Sequence, residues 1–228
     1  SKTGTGLADL EDLGFYSSIS NFDNEVEILQ SRTLIKKVVE ELDLYISYAA
    51  KGRFHDIELY KNAPVKVWIT PEEAQKLPAP AHINLTLQPG NKLDVTIRIG
   101  EQEYSKQFDK LPALLTTPSG TFSFNPTDST TVKNTQEIID TVSSPRSVAG
   151  GYRGALSIEP TSKSTTIAQI TVQSTHTQRG MDFLNKLVEI YNRDANDDKN
   201  EVATKTAEFI DARIKIINGE LGTTEQDL

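Results

Sequence analysis

Three histidines, His55, His82 and His176, are the side chains best suited to ligate a metal or move a proton near neutral pH. They lie far apart in the chain, with no partner at ligand spacing. His82 adjoins an alternating apolar run and His176 sits in a helix-capping segment, so each reads as a surface or structural histidine. The chain has no cysteine, which removes disulfides, thiol catalysis and cysteine-ligated zinc. Carboxylates are plentiful, but they come in runs such as Glu40-Glu41 and Asp194–Asp198 on helix faces, where a solvated surface is the plain reading. Glycosidase-like chemistry would need two carboxyl groups converging in a cleft, and no spacing here nominates them. There is no GxxxxGK[ST] loop, and Gly4-Thr5-Gly6 and Gly150-Gly151-Tyr152-Arg153-Gly154 lack the strand–loop–helix setting of a dinucleotide site. Asn84-Leu85-Thr86 matches a glycosylation sequon inside an expected strand, and such triplets are common by chance. The expectation is a stretch without catalytic residues, metal or cofactor, and not an enzyme.

The elements that position these residues follow from hydrophobic period. Residues 1–22 are rich in Gly, Ser and Asp and read as an extended entry. Asn24 and Glu27 have capping-box spacing, and Ile28, Ile35, Val38, Val39 and Leu42 follow at helical intervals, which predicts one helix over 24–43. Leu44–Tyr48 is strand-like. From residue 63 the period becomes two: Val65, Val67 and Ile69, then Ile83, Leu85 and Leu87, then Leu93, Val95, Ile97 and Ile99. Pro89-Gly90-Asn91-Lys92 is a turn between two of these runs, and Gly100-Glu101 leads to a further strand at Tyr104–Phe108. Thr121–Phe124 makes another. The Gly- and Pro-containing stretch Pro145–Gly154 reads as a loop, followed by strands at Ala155–Glu159 and Thr166–Gln173.

Thr175 and Gln178 again have capping-box spacing and open a final helix of some 45 residues, about 65 Å long. Met181, Val188, Ala195, Val202, Phe209 and Ile216 recur at every seventh place. Partner positions hold at Leu184 and Tyr191, fail at Asp198 and Lys205, and return shifted in Ile210, Ile214, Ile217 and Leu221. A pattern this long suggests a coiled coil or a projecting helix. The class expected is α+β. Residues 1–60 with 143–228 would form an α/β domain with the long helix, and 61–142 an inserted antiparallel β region.

A formal net charge of −8 over 228 residues argues against nucleic acid, whose phosphates need a surplus of Lys and Arg. No run approaches the ~20 apolar residues of a spanning helix, and the start has no apolar leader core. Because Leu228 falls inside a helical pattern, the chain is expected to be a piece of a longer protein.

Two segments resemble a known family. Asp23-Asn24-Glu25-Val26-Glu27-Ile28-Leu29-Gln30-Ser31-Arg32, with Val38-Val39-Glu40-Glu41-Leu42-Asp43-Leu44, is similar to the first helix of Wzz-type polysaccharide co-polymerases. Asn185-Lys186-Leu187-Val188-Glu189-Ile190-Tyr191-Asn192, continuing into Phe209-Ile210-Asp211-Ala212-Arg213-Ile214, resembles the helix leading that family to its second membrane span. Leu10–Gly14 and the stretch Lys51–Tyr60 resemble the branch fused to a cytoplasmic tyrosine autokinase. The resemblance implies a membrane-proximal periplasmic domain of an inner-membrane protein, with spans beyond both ends and ring-like homo-oligomers. It further implies a polysaccharide polymerase, an outer-membrane export channel and the capsular or exopolysaccharide itself as partners. Glu25, Glu27, Ser31, Arg32, Tyr191, Asn192, Phe209 and Arg213 are then the motif and oligomer positions. Arg146, Arg153 and Lys163 are candidates for meeting an acidic polysaccharide, with ordinary surface charge as the alternative. Two other classes stay open: a periplasmic adaptor of the membrane-fusion type, which would place a helical hairpin in mid-chain, and a carbohydrate-binding module, which would expose aromatic platforms. The aromatic fraction is only 7%, and Trp68 is the single Trp, expected in a core-facing or edge strand.

Overall fold

A computed structural model describes residues 22–52, 54–127, 134–162 and 167–224, with side chains as far as Lys215. The fold is α+β, with helices, antiparallel sheets and a long C-terminal helix. It divides into two units, one up to Leu187 and one from Val188 onward.

The helix expected over 24–43 is two helices. α1 covers residues 22–29, and α2 runs Arg32–Glu41. The break falls at Ser31, whose backbone is extended (φ −65°, ψ 140°) and whose Oγ accepts the Leu34 N–H at 3.2 Å. A serine at this point does more for a helix start than for a helix interior, where its hydroxyl competes with the ladder. Asn24 therefore lies inside α1 and exposed, and is not a cap. Leu34, Ile35, Val38 and Val39 form the buried face of α2. Asp43 then turns the chain with φ +52°, a left-handed residue just past the helix end.

Eleven strands follow among the described residues: β1 (Ile46–Ala50), β2 (Ile57–Glu58), β3 (Val65–Trp68), β4 (Ala81–Gln88), β5 (Lys92–Ile99), β6 (Gln102–Phe108), β7 (Ala113–Thr117), β8 (Gly120–Pro126), β9 (Gln136–Val142), β10 (Leu156–Pro160) and β11 (Ala168–Val172). They make a six-stranded antiparallel sheet β2-β1-β9-β4-β5-β6, a three-stranded sheet β3-β8-β7 and a hairpin β10-β11. Two turns set the register as their residue types require. Gln88 pairs with Lys92 across Gly90 (φ +83°) and Asn91 (φ +62°). Ile99 pairs with Gln102 around Gly100 at φ +60°, the first central position of a type II′ hairpin. Strand pairing continues across the boundaries expected at 61 and 142: β1 bonds to β9 (Ile46 opposite Val142), and β9 to β4. Ile83, Leu85, Leu87, Leu93, Val95 and Ile97 point inward from the large sheet, and Phe122 and Phe124 from the small one, all fully or almost fully buried. Tyr45 and Tyr48 link the two layers, their hydroxyls donating to the carbonyls of Ile69 (2.8 Å) and Val67 (2.9 Å).

Two helices are absent from the sequence reading. α3 (Pro71–Lys76) starts at Thr70, which accepts the Glu73 N–H at 3.2 Å while donating to the Glu73 carboxylate at 2.8 Å. α4 (Pro145–Ala155) occupies the stretch expected to be a loop. Gly150, Gly151 and Gly154 each cost a helix roughly 1 kcal/mol, but α4 packs on α2 and buries Pro145 and Ala149, and that contact decides. The final helix, α5, spans Thr177–Thr224. Its cap is His176, whose Nδ1 accepts the Arg179 N–H at 3.3 Å, in place of the expected Thr175. Thr175 is occupied elsewhere, donating to Glu58 and accepting from the Arg179 guanidinium.

Candidate functional site

The site is a groove built on the first turns of α2 and α4. Ser144 starts α4 as Ser31 starts α2, with an extended backbone and an Oγ that accepts the Ser147 N–H at 3.2 Å. Pro145 takes the first helical position, where a missing N–H is no loss. The Gln75 side chain of α3 accepts the Arg146 N–H at 3.0 Å and fixes the start of α4 to the body. Between the two helix starts lies a groove of about 760 Å³, lined by Arg32, Thr33 and Lys36 of α2 and by Ser144, Arg146 and Ser147. Among the described residues, none that lines it is acidic. Arg32 and Arg146 are exposed, and neither guanidinium engages a described residue. Lys36 is shared with Glu40 at 2.8 Å. The result is two uncommitted guanidinium forks, a third cation and three hydroxyls on one concavity, an arrangement suited to a carboxylate or phosphate oxyanion.

Of the three cations expected to meet a polymer, Arg146 lines this groove. Arg153 sits two turns further along α4, about 10 Å by helical rise, and its Nε donates to the Gln30 carbonyl at 3.1 Å, where α1 gives way to α2. Lys163 lies outside the described residues, as do Gly4–Gly6 and the Leu10–Gly14 stretch. Arg32, expected as a motif position, is the residue that joins Arg146. Ser31 caps α2, while Glu25 and Glu27 are exposed on α1. Thr33, Lys36, Ser144 and Ser147 were not singled out by the sequence. The signal that could have found the last two was Ser144-Pro145, a cap followed by proline at the first helical position.

No family model matches the chain, and no curated protein matches it either. The site's meaning therefore rests on its own chemistry.

A second polar cluster has an architectural use. Asp182, on the first turns of α5, accepts from the Tyr60 hydroxyl (2.8 Å) and Gln178 (2.9 Å) and pairs with Lys61 at 2.5 Å. The hydrogen bond from Lys61 is the main reason its carboxyl is held below the usual range. Burial, then the bond to Asp182, pushes the Tyr60 phenol well above its ordinary value. Arg179 pairs with Glu58 at 2.5 Å, Lys186 with Glu41 at 3.8 Å, and Tyr152 stacks on Phe183 at 4.3 Å. These groups are engaged with one another and tie the root of α5 to β2, α2 and α4.

Asp140 is different. It is fully buried on β9, between Tyr48 on β1 and Ile83 on β4, and neither carboxylate oxygen has a hydrogen-bond partner among the described residues. Burial holds its carboxyl well above the usual range. Among the described residues no group of three or more His, Cys, Asp or Glu is placed to hold a metal ion. His55 and His82 are exposed, and His82 meets Thr141 at 3.4 Å. Trp68 is 45% exposed on β3, an edge strand.

From Val188 to Lys215 α5 is mostly exposed and, Ile190 apart, several of its apolar residues with it. Val202 is 65% exposed and Phe209 69%, with Val188, Ile210 and Ile214 also open. Asn192 and Arg213 are exposed and Tyr191 half-buried on the same helix. No described helix is long and apolar enough to cross a membrane.

Proposed function

We propose that the chain is a scaffold domain that assembles with copies of itself to organise the polymerisation or export of a capsular or exopolysaccharide. The observation that carries this reading is the set of apolar residues left open on the second unit. Val188, Val202 and Phe209 recur at intervals of seven or fourteen, with Ile210 and Ile214 beside them. Exposed apolar area carries a hydration cost of roughly 25 cal/mol per Å², and a seam at heptad spacing is covered most simply by the same seam on another copy. The similarity of α1, α2 and α5 to the helices of Wzz-type co-polymerases supports the polysaccharide role. With it come a periplasmic place in an inner-membrane protein, flanking spans, a polymerase and an export channel as partners, and a ring as the form of assembly. The chemistry of the chain itself is binding and geometry.

The 228 residues carry no cysteine, so Phe209→Cys or Val202→Cys adds the one thiol of this stretch. The variants are to be oxidised in membranes of cells making the parent protein, with the unsubstituted parent as background. Disulfide-linked dimers from these positions, and none from Glu208→Cys on an adjacent helix face, are the expected result. Equal cross-linking from all three positions, or none from any, would remove self-assembly through this seam.

A further inference from the structure

We infer that the α2–α4 groove is a binding site for the carboxylate-bearing sugar residues of an acidic polysaccharide, with Arg32 and Arg146 as the recognising side chains. The identity of the polymer rests on the reading above, whereas oxyanion recognition is carried by the groove alone.

Arginine presents a rigid planar fork that matches a carboxylate, and two packed helices bring a pair of them to one concavity, so that only the two side chains have to be ordered on binding. Lys36, Lys51, Lys61, Arg98, Arg179 and Lys186 of the first unit each pair with an anion. Arg32 and Arg146 have no such partner among the described residues, and what sets them apart from other unpaired cations is that they line the same concavity. The backbone amides at the start of α4 are not the attraction, because the Arg146 N–H goes to Gln75 and the Ser147 N–H to Ser144. Thr33, Ser144 and Ser147 supply hydroxyls along the walls, which suit the vicinal hydroxyls of a sugar ring as well as its carboxylate. A groove of about 760 Å³ is in the range of small-molecule sites and takes a short oligosaccharide. A lipid headgroup would offer the same anion, and the vesicle arm of the experiment distinguishes the two sources.

The experiment is titration calorimetry of the 228-residue chain against oligogalacturonate, against a neutral glucose oligomer of the same length, and against vesicles rich in phosphatidylglycerol. Arg32→Ala and Arg146→Ala remove exposed side chains without intramolecular partners among the described residues, so both variants are expected to keep the wild-type melting temperature. Ser147→Glu provides a second route, since it adds a carboxylate to the groove at a helix start where an acid favours folding. The expected result is binding of oligogalacturonate that weakens about ten-fold for each arginine removed, weakens likewise for Ser147→Glu, and falls with added salt. Equal affinity for the neutral oligomer, loss only for vesicles, or binding indifferent to all three substitutions would each overturn the proposal. Failure of the thiol cross-linking with groove binding intact would remove the scaffold and leave the site, and the reverse pattern would remove the site and leave the scaffold.

Discussion

Replacing Asp140 by asparagine should make the protein more stable, and increasingly so as pH rises. Asp140 is fully buried between Tyr48 and Ile83, with no hydrogen-bond partner for either oxygen among the described residues. The Tyr48 phenol across the strand pair is itself pushed up by burial and, second, by this carboxyl. The folded protein thus holds the Asp140 proton at pH values where the unfolded chain, with an ordinary carboxyl near 3.9, has released it. Between those two points the native state binds more protons than the unfolded state, so stability falls as pH rises. The slope for one group is about 1.4 kcal/mol per pH unit, fully absent below about pH 4 and continuing until the folded protein loses its own proton. The asparagine side chain does not titrate. The stability difference between Asp140→Asn and the wild type should therefore be small near pH 4 and then grow by about 1.4 kcal/mol per unit, or about 3–6 °C in Tm per unit for a chain of this size. Asp140→Leu should add a further 1–3 kcal/mol, roughly the cost of an unsatisfied buried polar group. Urea unfolding followed by circular dichroism at pH 4, 5, 6 and 7 measures it. Taking the difference between variants cancels the other carboxylates. A difference flat with pH, or a wild type that gains on Asp140→Asn as pH rises, would refute the reasoning.

Two further outcomes test the elements around the groove and the root of α5. Ser144→Ala removes the side chain that starts α4 and should cost about 1 kcal/mol in urea unfolding, with weaker oligogalacturonate binding because Arg146 is placed by that turn. Asp182→Asn should destabilise at neutral pH, and its deficit should fade as pH falls. The Asp182 carboxyl is held below its ordinary value, so its contribution is present above the unfolded value and is lost as pH drops through the folded one. A deficit independent of pH in the same unfolding series would show that Lys61 and Tyr60 do not act on it as a charge.

The β-region was legible because alternation and turn chemistry agree. Gly90-Asn91 and Gly100 need positive φ, the structure gives it to them, and the strands on either side follow in register. The helices were legible where an apolar face was long, and illegible where packing outweighs propensity. α4 carries three glycines in eleven residues and is a helix because α2 gives it a surface. β9 could not be read either: in Gln136-Glu137-Ile138-Ile139-Asp140-Thr141-Val142 the buried face is Ile138, Asp140 and Val142, and the acid in its middle breaks the apolar alternation that would mark a strand. The groove was half visible. Arg146 and Arg32 were both named, for different reasons, but their meeting depends on α4 being a helix, and that turned on Ser144 and Pro145.

The groove also runs against the charge of the whole chain. At −8 the protein repels an acidic polymer at long range, so generic attraction cannot account for binding. At physiological ionic strength that repulsion is screened beyond about 8 Å, and short-range contacts with the two guanidinium groups would decide what is held. A basic surface would bind any polyanion along its length. On the proposed reading, an acidic chain with a basic concavity at Arg32 and Arg146 would hold a short stretch of polymer and repel what flanks it. Such a site would gain little from a single copy, and if copies assemble as proposed its effect would come from many of them acting on one polymer.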